Sequence, residues 1–183
     1  MFEIVESKIP GCVEIIFNKT ADKRGCFIKT FHEDIFKKLN IRLELREEYF
    51  TVSTKNVFRG LHFQNPPKAL DKLVYCVTGK VTDYVVDLRV GSPTFGESVS
   101  FELDGDIPKA VFAPVGLAHG FYVKSETAVM QYKVSEVYDA ASDTGISYTS
   151  FPFSKEIIDP VISDRDQGFV SFADFRSPFQ FKL

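Results

Sequence analysis

The chain has 183 residues, of which 44% are hydrophobic and 26% charged, with a formal net charge of −3. That length suits one domain with a sizeable core spanning residues 1–183, and the slightly acidic balance disfavours non-specific nucleic-acid binding, which needs a basic footprint. No apolar run approaches the roughly 18 residues of a membrane span, MFEIVESKIPG lacks a signal-peptide core, and Cys12, Cys26 and Cys76 form no CxxC pair, so the expectation is a soluble, reduced, cytoplasmic protein.

In chain order, VEIIF (13–17) and CFIKTF (26–31) read as strands rich in β-branched and aromatic residues. TFHEDIFKKLN reads as a helix, with Thr30 and Glu33 as a capping box and Phe31, Ile35 and Leu39 recurring on one face. Strands resume with EYFTVST (48–54), NVFRGLHF (56–63) and KLVYCVTGKVTDYVVDLR (72–89), where Thr78-Gly79 reads as a hairpin tip. GSPTFG (91–96) is a longer turn, followed by ESVSFEL (97–103), AVFAPV (110–115), GFYVKS (120–125) and AVMQYKV (128–134). Many short strands with one helix argue for an all-β sandwich or barrel.

Alternation assigns faces. Ala128, Met130, Tyr132 and Val134 share one face, which directs Tyr132 inward, and Lys72 shares a face with Val74 and Cys76. A straight strand over 56–63 puts Phe58, Gly60 and His62 on one side and Arg59 on the other, so both polar residues can serve one site only if Gly60 marks a bulge or a strand end. Of the three histidines, His32 reads as a surface residue, while His62 and His119 sit in apolar segments. PVGLAH, ending at His119, fits the Pro-x-Gly-x-x-His pattern of cupin jelly rolls, but His62-Phe63-Gln64 and two prolines do not supply the remaining ligands of a metal site. Two inward histidines, a tyrosine and nearby cations instead point to proton transfer on an anionic ligand. VISDRDQG (161–168) reads as a solvated turn on composition alone.

DKRGCF (22–27), NVFRGLHFQNPP (56–67), DKLVYCVTGKVTDYVVDLRVGSPTFG (71–96), PVGLAHGF (114–121), QYKVSEVY (131–138) and PVISDRD (160–166) together resemble, in order and spacing, the dTDP-4-dehydrorhamnose 3,5-epimerases and related enzymes of nucleotide-linked 4-keto-6-deoxysugars. The resemblance implies a cupin-type jelly roll with one or two short helices, a homodimer exchanging N-terminal strands, and neither metal nor cofactor. It implies a catalytic base at His62, a paired carboxylate at Asp166 and an acid at Tyr132. Substrate contacts fall on Arg24, Phe27, Arg59, Lys72 and His119, with Tyr138 of QYKVSEVY and Arg165 beside Asp166 in the same set. The implied reaction is epimerisation at carbon 3, carbon 5 or both through an enolate, within deoxysugar biosynthesis for O-antigen or a similar surface polysaccharide.

The chain departs from the family pattern where the nucleotide is held. Lys29 stands in place of a glutamate, and EEY (47–49), with Glu47 and Tyr49, replaces a Gln-Asp-Asn segment. Asp143 and Tyr148 stand for a glutamate and a tryptophan. These changes give the expectation of a different nucleotide, CDP or GDP rather than dTDP. A sugar 3,4-ketoisomerase on the same fold and a non-catalytic sugar-nucleotide-binding jelly roll are the alternatives; the former typically carries a paired histidine where this chain has His62-Phe63-Gln64.

Overall fold

The computed structural model describes residues 2–182. Among the described residues, eleven of thirteen strands form an antiparallel jelly roll of two sheets. One sheet contains β1 (Glu3–Glu6), β2 (Val13–Ile16), β5 (Glu47–Thr54), β7 (Lys72–Thr78), β10 (Lys109–Ala113) and β12 (Thr127–Val134), in the order β1-β2-β10-β7-β12-β5. The facing sheet runs β13-β6-β11-β8-β9, from Asp143–Gly145, Phe58–Gln64, Leu117–Val123, Lys80–Asp87 and Ser98–Asp104. A separate hairpin joins β3 (Lys19–Asp22) to β4 (Gly25–Ile28).

The sheets are packed together and partly covered on their outer faces, so that β8 and β11 are buried along almost their whole length. Val74, Cys76, Val85, Phe121, Met130 and Tyr132 fill the interior between the sheets. Tyr84, Val86 and Leu88 turn outward under a C-terminal cover of Phe151, Phe153, Ile157 and Phe179. Leu73 and Ala110 turn the other way, under Phe2, Phe17, Phe36 and Leu43. The C-terminal phenylalanines pack into this cover: Phe179 meets Phe63 at 5.7 Å, and Phe172 meets Phe151 at 5.5 Å.

Two local expectations change. Thr78-Gly79 is not a hairpin tip, because β7 pairs with β10 and β12 while β8 pairs with β11 and β9. The chain crosses between sheets there; Gly79 has φ +85° and a Cβ would lie 2.2 Å from the Thr127 carbonyl oxygen, so glycine is required. The helix, α1 (Glu33–Lys38), has His32 as its cap residue with no side-chain cap bond, and the Thr30 hydroxyl instead accepts a bond from Tyr75 Oη at 3.2 Å. No capping box forms, since a tertiary partner has taken its first member, and Phe36 is the buried helix residue.

Truncating Phe179, which is 4% exposed, leaves a cavity under the cover. Phe179→Ala is expected to lower unfolding free energy by about 3–5 kcal/mol, read from urea denaturation; a loss below about 1 kcal/mol would show that the cover is not part of the cooperative core.

Candidate active site

A cavity of about 340 Å³ opens between the sheets. His62 reaches it from β6, and Arg59 does so three residues earlier. Both can line it because β6 gains a residue against β11: His119 lies opposite His62, but Phe121 lies opposite Arg59. The extra residue falls at Gly60 and Leu61, where Gly60 has φ +146° and a Cβ would stand 2.6 Å from Gly120 Cα. The bulge that the sequence made a condition is present.

His62 Nε2 lies 2.9 Å from both carboxylate oxygens of Asp166. Asp166 belongs to a single helical turn, α2 (Asp164–Gln167), in which the Ser163 hydroxyl accepts from the Asp166 N–H at 3.2 Å. VISDRDQG is thus not a solvated turn; Asp166 is buried and also accepts the Gly60 N–H at 3.2 Å. Burial alone would raise its carboxyl, but the bonds from His62, Gly60 and Ser163 outweigh that and hold it below the usual carboxylate range. Burial pushes His62 the other way, below its ordinary 6.5, although Asp166 opposes the shift. A carboxylate that accepts Nε2–H leaves Nδ1 with the lone pair of a neutral imidazole, the form of a base.

Tyr132 enters from β12 on the opposite sheet. It is buried, stacked on Tyr49 at 4.7 Å and 11°, and its hydroxyl is held well above its ordinary value, chiefly by burial and then by Tyr49. Lys72, from β7, donates to the His62 carbonyl at 2.9 Å, and burial brings its ammonium down to about 8. His119 pairs with the buried Asp83 at 2.6 Å and approaches the Tyr132 ring at 6.0 Å. The Asp83 carboxyl is raised by burial, against the pull of His119 and Lys72.

The cavity mouth carries the remaining polar groups. Arg59 donates to Ser53 Oγ at 3.0 Å, Arg165 pairs with Asp143 at 2.7 Å, and the Tyr138 N–H donates to Glu47 at 2.7 Å. All of these except Ser53 line the cavity, as does Tyr49. Arg24, Phe27 and Lys29 do not: within one chain they stand on or beside the exposed β3–β4 hairpin, with Arg24 paired to Asp22 at 2.6 Å. Tyr148 also lies outside, 4.6 Å from Phe58. Among the described residues no three His, Cys, Asp or Glu side chains gather in a way that could hold a metal ion.

Sequence reasoning missed Thr51, Ser53 and Asp83. Thr51 lines the cavity, and its Oγ1 and Asp83 Oδ1 are buried without a partner among the described residues. Alternation held the signal: Glu47, Tyr49, Thr51 and Ser53 share one face of β5, and Asp83 occupies the inward register between Val81 and Val85.

The sequence matches the family model for dTDP-4-dehydrorhamnose 3,5-epimerase over residues 6–174. The dTDP-4-dehydrorhamnose 3,5-epimerase of Shigella flexneri is 34% identical, covering 93% of this chain and 96% of that protein. The dTDP-4-dehydrorhamnose 3-epimerase of Streptomyces niveus is 39% identical, over 92% and 83%. The crystal structure of a Legionella pneumophila dTDP-6-deoxy-D-glucose-3,5-epimerase in complex with dTDP-4-keto-L-rhamnose superimposes with a TM-score of 0.91 at 30% identity, covering both chains fully. The nucleotide named in all three is dTDP, against the expectation of CDP or GDP.

The opposed influences on His62 have a measurable sign. Asp166→Asn removes the pull that raises the imidazole and leaves the burial that lowers it. The His62 titration midpoint, followed by NMR, is expected below 6.5 in the native protein and lower still in Asp166→Asn; an upward move in the variant would contradict this account.

Proposed function

The chain belongs to the dTDP-4-dehydrorhamnose 3,5-epimerase family, and from that membership we propose cofactor-independent epimerisation of a dTDP-linked 4-keto-6-deoxysugar, at carbon 3, carbon 5 or both, with His62 as base and Tyr132 as acid. It is an isomerase of nucleotide-linked sugars in deoxysugar biosynthesis. One observation carries the residue assignment: His62 and Tyr132 enter the same cavity from opposite sheets. Inversion requires a base on one face of the sugar ring and an acid on the other.

The proton beside a ketone is weakly acidic, because its loss puts charge on the ketone oxygen. His62 Nδ1 takes that proton, and Asp166 stabilises the imidazolium that forms. Lys72, already anchored through one N–H to the His62 carbonyl, has further donors for the developing enolate oxygen. Tyr132 is a phenol that holds its proton at neutral pH, and burial raises it further, so it can return a proton to the opposite face of the carbon. Arg59 and Arg165 suit the diphosphate, since a planar guanidinium matches its oxygens.

Arg24, Phe27 and Lys29 reach a cavity in this scheme only from a second copy, in a homodimer exchanging N-terminal strands. The solvent-exposed β3–β4 hairpin and the outermost strand β5, with Phe50 and Val52 exposed, support that assembly.

Proton NMR in D2O with dTDP-4-keto-6-deoxyglucose tests the chemistry. Solvent exchange at carbon 3 or carbon 5 is expected, falling at least about 100-fold in His62→Ala, whereas Tyr132→Phe is expected to retain exchange but lose inversion. No exchange in the wild-type protein would overturn the reading. For Lys72→Met, kcat is expected to fall about 100-fold or more. The wild-type kcat/KM profile should decline at alkaline pH as the Lys72 ammonium deprotonates near its pKa of about 8, and this decline should be absent from the variant; an unchanged alkaline limb would remove Lys72 from the mechanism.

A further inference from the structure

Phe169 does not line the cavity, yet it touches the groups that define it. Its ring meets the His62 imidazole edge-to-face, with centroids 5.7 Å apart and planes at 82°. The Arg165 guanidinium lies over the same ring at 5.4 Å and pairs at its far side with Asp143. The ring is seated on Gly145 of β13, which stands directly opposite His62 in the sheet. A Cβ at Gly145 would lie 2.2 Å from the ring and 2.5 Å from the Leu61 carbonyl oxygen, so the strand opposite the base is cut away where Phe169 rests.

We propose that Phe169 is a positioning residue for the base: its ring fixes the plane of the His62 imidazole and, through the same contact, the guanidinium of Arg165. Asp166 alone leaves the turn of the imidazole undetermined. Both of its oxygens hold Nε2, which fixes one atom of the imidazole. The direction of Nδ1 also depends on how the ring is turned about that atom, and a perpendicular aromatic contact sets that turn. Phe169 follows Asp166 by three residues, and its N–H donates to the Asp166 carbonyl at 3.4 Å, so one short segment supplies both constraints. The other charged or titratable groups around His62 are Lys72 from β7, Arg165 from α2 and His119 across the strand pair in β11. Phe169 is the apolar member of that surround and shields the imidazole on its flank.

This inference rests on His62 being the base, and its test separates the two claims. Phe169→Ala and Phe169→Leu are compared with the wild-type protein for kcat, KM, the His62 NMR titration and thermal unfolding. In Phe169→Ala the expected result is a kcat roughly three- to ten-fold lower, the size of one aromatic contact, with KM within about two-fold. The His62 midpoint should rise as water reaches its flank. Leucine restores volume but not the aromatic face, so Phe169→Leu is expected to recover the unfolding temperature while keeping the lower kcat. If Phe169→Ala fails to fold, Phe169→Leu decides the question alone. A leucine variant with wild-type kcat and His62 titration would reduce Phe169 to packing and overturn the proposal. Absence of turnover in the wild-type protein would defeat the functional reading, while the His62 titration would still report on the ring contact.

Discussion

The site depends on how closely β6 and β11 approach at two glycines. A Cβ at Gly60 would lie 2.6 Å from Gly120 Cα, and one at Gly120 would lie 2.7 Å from the Arg59 carbonyl oxygen. Neither strand can carry a side chain at the crossing, so β6 accommodates one extra residue and bends. The consequence is chemical. Alternation would send Arg59 and His62 to opposite faces, and the bulge returns both to the interior. A strand without the irregularity would offer the pocket His62 or Arg59, but not both.

Across the cavity β12 needs no such device, because Tyr132 already lies on its inward face. Burial acts on the two sheets' facing groups in opposite directions: it lowers His62, favouring the neutral imidazole, and raises Tyr132, a phenol already protonated at neutral pH. One physical cause acts on both groups, since desolvation penalises the charged form of each. Lys72 bridges the sheets by donating from β7 to the His62 carbonyl of β6. The buried Lys72 ammonium disfavours the protonated form of His62, and in the proposed reaction the same charge would face the enolate oxygen.

Much of this was legible in the sequence, unevenly and for identifiable reasons. The inward set Ala128, Met130, Tyr132 and Val134 is buried as alternation requires, because β12 pairs with β5 without a register shift and its one shift against β7 leaves the alternation intact. Gly60 announced a bulge as a condition, while its direction depended on Gly120, sixty residues away. The turn at Thr78-Gly79 failed as a hairpin because a left-handed glycine serves a tight hairpin and a sheet crossing equally well, and only distant pairing separates them. Thr30 lost its capping role to a tyrosine on β7. Asp166 was invisible to composition, because its burial is created by β6, and only the resemblance pointed to it.

That last case shows how fold and chemistry are joined. The jelly roll supplies His62 and Tyr132, but the carboxylate comes from the cover, a different layer with its own Phe-rich packing. The cover is laced along β6 by main-chain bonds: Phe58 N–H donates to the Val161 carbonyl at 3.0 Å, and Ile146 N–H to the Leu61 carbonyl at 3.0 Å. Between these, Gly60 N–H has left the regular ladder because of the bulge, and a buried N–H without an acceptor would cost about 1–3 kcal/mol. Asp166 takes that N–H with one carboxylate oxygen while both oxygens face His62. The distortion that brings Arg59 and His62 to one site thus creates the unpaired donor that draws in the carboxylate. The bulge, the burial of Asp166 and the anchoring of His62 Nε2 are one arrangement.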